Sequence, residues 1–301
     1  MEWRNLKLLM LLAGVVFCVG IAVVSVRWGL ADYHADIAYQ EMQSWGDGDI
    51  TDASWQRVHE QMMIANELAP GSAVYLHRLG RLSTIRMVMT PEQKEALGQQ
   101  ALDYYERALL VRGQWPATWS ALAMLKHVLG EHDARFEEAI ANATRYGPWE
   151  PGVLRQIAIV GTASWAGLSE SSKDDVLGNI ERGLRTPSED ARVAVAAAIK
   201  SNASGSVADL FHGVGEILVE QDWPSVNRLL LADLTLSYWQ LFLPEHRRLL
   251  TPKVARVIAQ SQNPALIKQL EASGRFRSIC PYLPMDDKFV KLCKDKKLKN
   301  R

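Results

Sequence analysis

The sequence predicts an all-α chain: a single N-terminal transmembrane helix followed by an array of helical hairpins, an α-solenoid. Three observations predict it. Residues 8–26 run for nineteen positions without a charge. From Trp55 onward apolar side chains recur at the helical period of 3.6, and runs of alternating β-branched residues are almost absent. The breakers between periodic stretches, at 147–148, 187–188, 204–206, Pro244 and Pro252, are short enough to be turns rather than linkers. A length of 301 residues with 48% hydrophobic and 23% charged side chains leaves ample material for a core and excludes a disordered, collagenous or disulfide-dense chain. Thirty-four basic residues against 34 acidic ones argue against nucleic acid as a partner.

The first element is LLMLLAGVVFCVGIAVVSV, Leu8 to Val26. At about 1.5 Å per residue it matches a hydrocarbon layer of about 30 Å. Trp3 and Trp28 flank it where indole rings favour the two interfaces, and Arg4, Lys7 and Arg27 bracket it. The competing reading is a cleaved signal peptide, but the run exceeds the usual apolar region of such peptides and no small-x-small cleavage pattern lies near Arg27. Arg4, Lys7 and the amino terminus outweigh Glu2 on the near side, while Arg27 is followed by Asp32 and Asp36 on the far side. The positive-inside rule then places the N-terminus in the cytoplasm and the body on the other side of the membrane. The expected layout is an anchor over 1–30, helical repeats over 31–150, a helical continuation over 151–270 and a basic tail over 271–301.

The repeats are read from large residues followed three and four positions later by Leu and a small residue, with small residues again where the second helix crosses the first. Trp119, Leu122 and Ala123 supply a first helix, and Phe136, Ile140, Ala143 and Pro148 the second, after a turn at Gly130. An earlier unit has Leu76, Leu79 and Gly80, then Ala101, Tyr105 and Ala108, with an insertion at Met89 to Glu95 between its helices. A still earlier second helix carries Met62, Ala65 and Pro70. Pro70 to Leu76 keeps the repeat phase, whereas Pro116 to Trp119 does not. Over residues 51–150 this pattern resembles tetratricopeptide repeats, which implies stacked antiparallel helix pairs that bind rather than catalyse. Interhelix packing is the expected role of every residue named here.

Past Pro151 the match fades, although Val176, Ile180 and Leu184 form one helical stripe and Val207, Leu210, Phe211, Val214, Ile217 and Leu218 another. Trp223-Pro224 followed by Leu230 echoes Trp115-Pro116 followed by Leu122 at the same spacing. Cys18 lies in the apolar run, which leaves Cys280 and Cys293 with twelve residues between them, in a tail short of apolar periodicity. An oxidising compartment would join them in a disulfide; the alternatives are two unrelated buried thiols or half of an incomplete metal site.

No catalytic motif is present. The histidines at 34, 59, 77, 127, 132, 212 and 246 include no HExxH pair and none beside a cysteine pair, so no metal and no cofactor is expected. Glu131-His132-Asp133 reads as a solvated loop. Gly213-Val214-Gly215 has no third glycine to cradle a phosphate. Ten tryptophans offer faces on which sugar rings stack, but Trp115, Trp149, Trp165, Trp223 and Trp239 lie on or beside apolar stripes, where core packing is expected. From Lys288 to Arg301, Lys288, Lys291, Lys294, Lys296, Lys297 and Lys299, with Arg301, stand against Asp295 alone; they read as a solvated segment or as a contact for an anionic lipid surface or acidic polymer.

Trp119-Ser120-Ala121-Leu122-Ala123 and Arg145-Tyr146-Gly147-Pro148-Trp149-Glu150-Pro151, with a following helix ending at Trp165, resemble the VpsP-type proteins of bacterial exopolysaccharide biosynthesis. The resemblance covers about residues 116–185, and the ends of the chain by layout alone. It implies a non-catalytic accessory protein of the inner membrane, a scaffold that acts through protein–protein contacts beside a polysaccharide assembly or export complex, with glycan as a second class of ligand. It supplies no catalytic residues. The alternative is a periplasmic chaperone-like factor for exported proteins, in secretion or cytochrome c maturation, which has the same anchor-plus-repeat layout.

Overall fold

A computed structural model describes residues 2–45, 50–202, 208–273, 276–283, 289–290 and 293. All regular structure among them is helical. The chain divides into two compact units, 1–129 and 130–301.

The first unit holds α1 (Glu2–Gln43), α2 (Asp52–Leu68), α3 (Ala73–Met89), α4 (Lys94–Val111) and α5 (Pro116–Leu129). α1 has 42 residues, about 60 Å of helix, roughly twice the hydrocarbon thickness. It is long and apolar enough to cross a membrane, and its apolar window has none of its residues buried against the rest of the chain. Burial begins at Ala31. Ala31, Ala35, Ala38 and Met42 follow the i, i+4, i+7, i+11 spacing of one helix face and pack on Val58, Met62 and Ala65 of α2. The second helix expected at Met62 to Pro70 thus has its partner in the last turns of the apolar helix itself. No breaker separates the two parts.

Thr51 begins α2 with a capping box, its side chain accepting from the Ser54 amide while Ser54 Oγ accepts from the Thr51 amide. Between α3 and α4 the expected insertion reduces to the 3-10 turn Pro91–Gln93, because the extra residues lengthen the helices instead of forming a loop. Pro116 is the first residue of α5, where a missing N–H costs nothing, which explains why it falls out of repeat phase. α5 ends at Leu129, and Gly130 takes the positive φ of 79° that a following turn requires.

The second unit holds α6 (Ala134–Tyr146), α7 (Pro151–Ala163), α8 (Glu170–Arg185), α9 (Glu189–Ser201), α10 (Ala208–Glu220), α11 (Arg228–Ser237), α12 (Pro244–Ser261), α13 (Pro264–Ser273) and the short α14 (Phe276–Ile279). Each helix from α6 to α11 touches the helix two places on, the contact pattern of stacked hairpins. The array therefore continues beyond Pro151, where the repeat motif fades. Side chains of Asp133, Ser169 and Ser188 cap α6, α8 and α9. Buried amides join neighbours: Asn179 Nδ2 donates to the Leu154 carbonyl at 2.9 Å, and Asn227 Nδ2 to that of Leu184 at 2.8 Å. Lys253 Nζ of α12 donates to the carbonyls of Val219 and Gln221, both at 2.6 Å, and so closes the C-terminal end of α10.

Two expectations in this unit are corrected. Pro252, expected to break the chain, lies inside α12; its missing N–H removes one backbone bond, and packing of Leu250, Val254 and Val257 holds the helix through it. The Trp223-Pro224 echo does not reproduce its counterpart: Pro224 starts a turn four residues before α11, and Leu231 rather than Leu230 is fully buried.

Candidate functional site

The residues read as repeat packing do pack. Leu76, Leu79, Gly80, Tyr105, Ala108, Trp119, Leu122, Ala123 and Ala143 are buried, and Pro148 is half-buried in the turn between α6 and α7. Gly80 is the informative one. A Cβ there would stand 2.6 Å from Tyr105 Cε1, so the ring crosses α3 only because the position is bare. Trp119 donates from Nε1 to the Gly113 carbonyl at 2.7 Å. His77 lies under Tyr105 and Trp115 with Nδ1 at 3.1 Å from Thr118 Oγ1; burial, then the charges of Arg81 and Arg78, push it down to about 4, so it is neutral at pH 7.

The tryptophans divide. Trp119, Trp165 and Trp239 are buried, whereas Trp149, expected in the core, is 56% exposed because it stands in the turn before α7 rather than on a helix face. In the approach to α6, His132 and Asp133 are exposed and Glu131 is half-buried; Asp133 caps the helix, and His132 Nε2 lies 3.1 Å from Ser164 Oγ, so the segment is only in part the solvated loop expected. Cys280 and Cys293 are joined in a disulfide with Cα atoms 6.0 Å apart. The tail around them is not without a core: Ile279, Leu283 and Phe289 are buried against Ala232, Leu236 and Val254. Sequence periodicity misses this because three anchors spread over short elements have no common period. Lys288, Lys291, Lys294, Lys296, Lys297, Lys299 and Val207 lie outside the described residues.

In the first unit a cleft of about 560 Å³ opens at the point where α1 leaves the apolar run. Val24, Arg27, Trp28 and Asp32 of α1 form one wall, and the turn Leu68 to Ser72 with Tyr75 of α3 the other. Tyr75 Oη donates to Asp32 Oδ1, and burial followed by that carboxylate keeps the phenol protonated well above the usual tyrosine range. Arg78 donates to the Ala35 carbonyl at 3.2 Å and stacks over Tyr39 at 4.5 Å, which fixes the α1 wall. Arg27 reaches the Glu67 carbonyl at 3.4 Å and lines the rim. The cleft is therefore apolar inside with one guanidinium and one hydrogen-bonded carboxylate, a lining suited to an amphipathic segment and lacking a nucleophile paired with a base.

In the second unit the structure brings together three residues that sequence reasoning kept apart. His212 and Glu216 are one turn apart on α10, with His212 Nδ1 3.5 Å from Glu216 Oε1. His246 of α12 sets its ring edge-to-face with that of His212, centroids 5.3 Å apart. One ligand atom from each of the three lies within 4.8 Å of the others. The i, i+4 half of this cluster is visible in the sequence; the third member is thirty residues away and only the crossing of α10 and α12 supplies it. Of the two glycines that fail as a phosphate loop, Gly215 faces His246 and lets that crossing fit, whereas Gly213 faces Leu177 of α8.

No family model and no curated protein matches the chain.

Proposed function

We propose that the chain is a membrane-anchored, non-catalytic scaffold whose body lies in the bacterial periplasm and which serves exopolysaccharide biosynthesis or export through protein–protein contacts. The observation that carries this reading is the continuity of α1: one helix is apolar and unburied over its first part and forms the first wall of a helical hairpin over its last. An anchor built this way orients the first hairpin, and with it the cleft at Trp28 and Tyr75, at the membrane surface, where an assembly complex presents its exposed segments. The Cys280–Cys293 disulfide supports an oxidising compartment for the body. The link to exopolysaccharide rests on the resemblance carried by residues 116–185.

The test is capture in living cells with a photo-crosslinking residue at Gly71, on the cleft rim, followed by mass spectrometry. Glycosyltransferases or polysaccharide export proteins are the expected partners. A broad set of exported or haem-maturation clients replaces the scaffold with the chaperone-like factor. A reporter fused after Arg301 is expected to be active only as a periplasmic enzyme, and cytoplasmic activity overturns the topology.

A further inference from the structure

We propose that His212, Glu216 and His246 form a binding site for a first-row divalent metal ion, with zinc the best match to two imidazoles and a carboxylate. The proposal is independent of the scaffold reading.

His246 is 6% exposed, and its Nδ1 is buried without a hydrogen-bond partner. An imidazole nitrogen left that way costs about 1–3 kcal/mol, so its retention at a helix crossing calls for a ligand. The ring occupies the space a side chain at residue 215 would need, since a Cβ on Gly215 would collide with Nδ1. That seat places it on the face of α10 that carries His212 and Glu216. The i, i+4 spacing aligns those two side chains on consecutive turns, and both are half exposed. Around a tetrahedral zinc ion the ligand atoms stand about 3.3 Å apart, so the present spread closes by about 1.5 Å through rotation of the two exposed side chains while His246 stays fixed. His246 also lies in the first turn of α12, where a helix N-terminus disfavours a cation; the carboxylate of Glu216 supplies the opposing charge. Lys253, two turns along α12, is occupied by the carbonyls of Val219 and Gln221 at the C-terminal end of α10, which fixes the helix pair next to the three ligands. Three protein ligands leave a fourth position, and with His212 and Glu216 at the surface it faces solvent, open to water or to an anionic group of a partner.

The test uses the full chain in detergent, without a histidine tag, stripped of metal and titrated with Zn²⁺ against a chromogenic chelator. One Zn²⁺ per chain is expected, and His212→Ala and Glu216→Gln, both at exposed positions that leave the core untouched, are expected to weaken it by about 100-fold or more, at least as much as losing a supporting outer partner. Gly215→Ala keeps all three ligands but displaces His246 and is expected to weaken binding as well. Cobalt substitution is expected to give the visible absorption of a four-coordinate site in the wild type alone. Absence of binding, or equal affinity in the wild type, His212→Ala and Glu216→Gln, overturns the proposal.

Discussion

In the first unit, α3 and α4 cross by setting Gly80 under the aromatic ring of Tyr105; in the second, Gly161 and Gly183 meet the branched side chains of Val176 and Val195 at the crossings of α7 with α8 and α8 with α9. The geometric rule is the same on both sides: a bare position on one helix admits a bulky side chain from its neighbour, and the helix axes approach. The chemistry differs. The first unit uses the large-aromatic and small pattern that a repeat motif encodes, and the second obtains equal closeness from glycine against valine, which no motif marks. Hence the array continues through α13 although its signature fades at Pro151. At Gly215 the second unit departs once more, since the inserted group is an imidazole instead of a hydrocarbon.

If aromatic anchors hold the first unit, truncating one is expected to give the largest loss. Trp119→Ala should cost about 3–5 kcal/mol, because it removes a packed ring together with its bond to Gly113. Hydrogen exchange should show that loss over α5. A mere weakening of partner capture with unchanged protection would break the assignment of Trp119 to the core.

The first unit is also expected to lose stability between pH 6.5 and 4, through His77. Its folded form holds the imidazole down to about 4, against 6.5 for the unperturbed group. The unfolded chain therefore takes up the proton first. The contribution is complete above pH 6.5 and is lost as pH falls toward 4, by about 3 kcal/mol at most. Unfolding curves across that window should flatten in His77→Gln, which keeps a polar partner for Thr118.

The second unit has a device the first lacks. Cys280→Ser is expected to destabilise by about 3 kcal/mol in the chain-entropy account of so short a loop. Exposure of α12 and the segment at Ile279 to Leu283 should rise while α3 and α4 keep their protection, and non-reducing mass analysis of the wild type should recover the 280–293 link.

Gly161→Ala should cost about 2 kcal/mol, since a buried, β-branched Val176 cannot rotate away from the new Cβ. Gly98→Ala in the first unit crowds the terminal carbons of half-buried Leu129, which can move aside, and makes ordinary contact with the Met87 sulfur, and the helix gains about 1 kcal/mol of propensity in return. Its net change should be near zero. Equal losses at both sites, read from thermal unfolding, would show that the stiffness of the facing side chain is not what sets the cost.

The apolar run of α1, the helical period, the packing residues of the repeats from Leu76 to Ala143, and the pairing of Cys280 with Cys293 were all legible in the chain. Each rests on local information: a transfer energy summed over nineteen residues, a 3.6-residue period, or the scarcity of other thiols. Tertiary structure alone decided that Ala31 to Met42 turn the end of the apolar helix into a hairpin wall, that Trp149 is exposed, that Pro252 is carried inside α12, and that Phe289 buries the tail. It also decided that His246 reaches His212 and Glu216. These outcomes depend on which helix crosses which and at what distance. That is set by side-chain volumes summed over both partners of a contact, and a one-dimensional pattern records only one partner at a time.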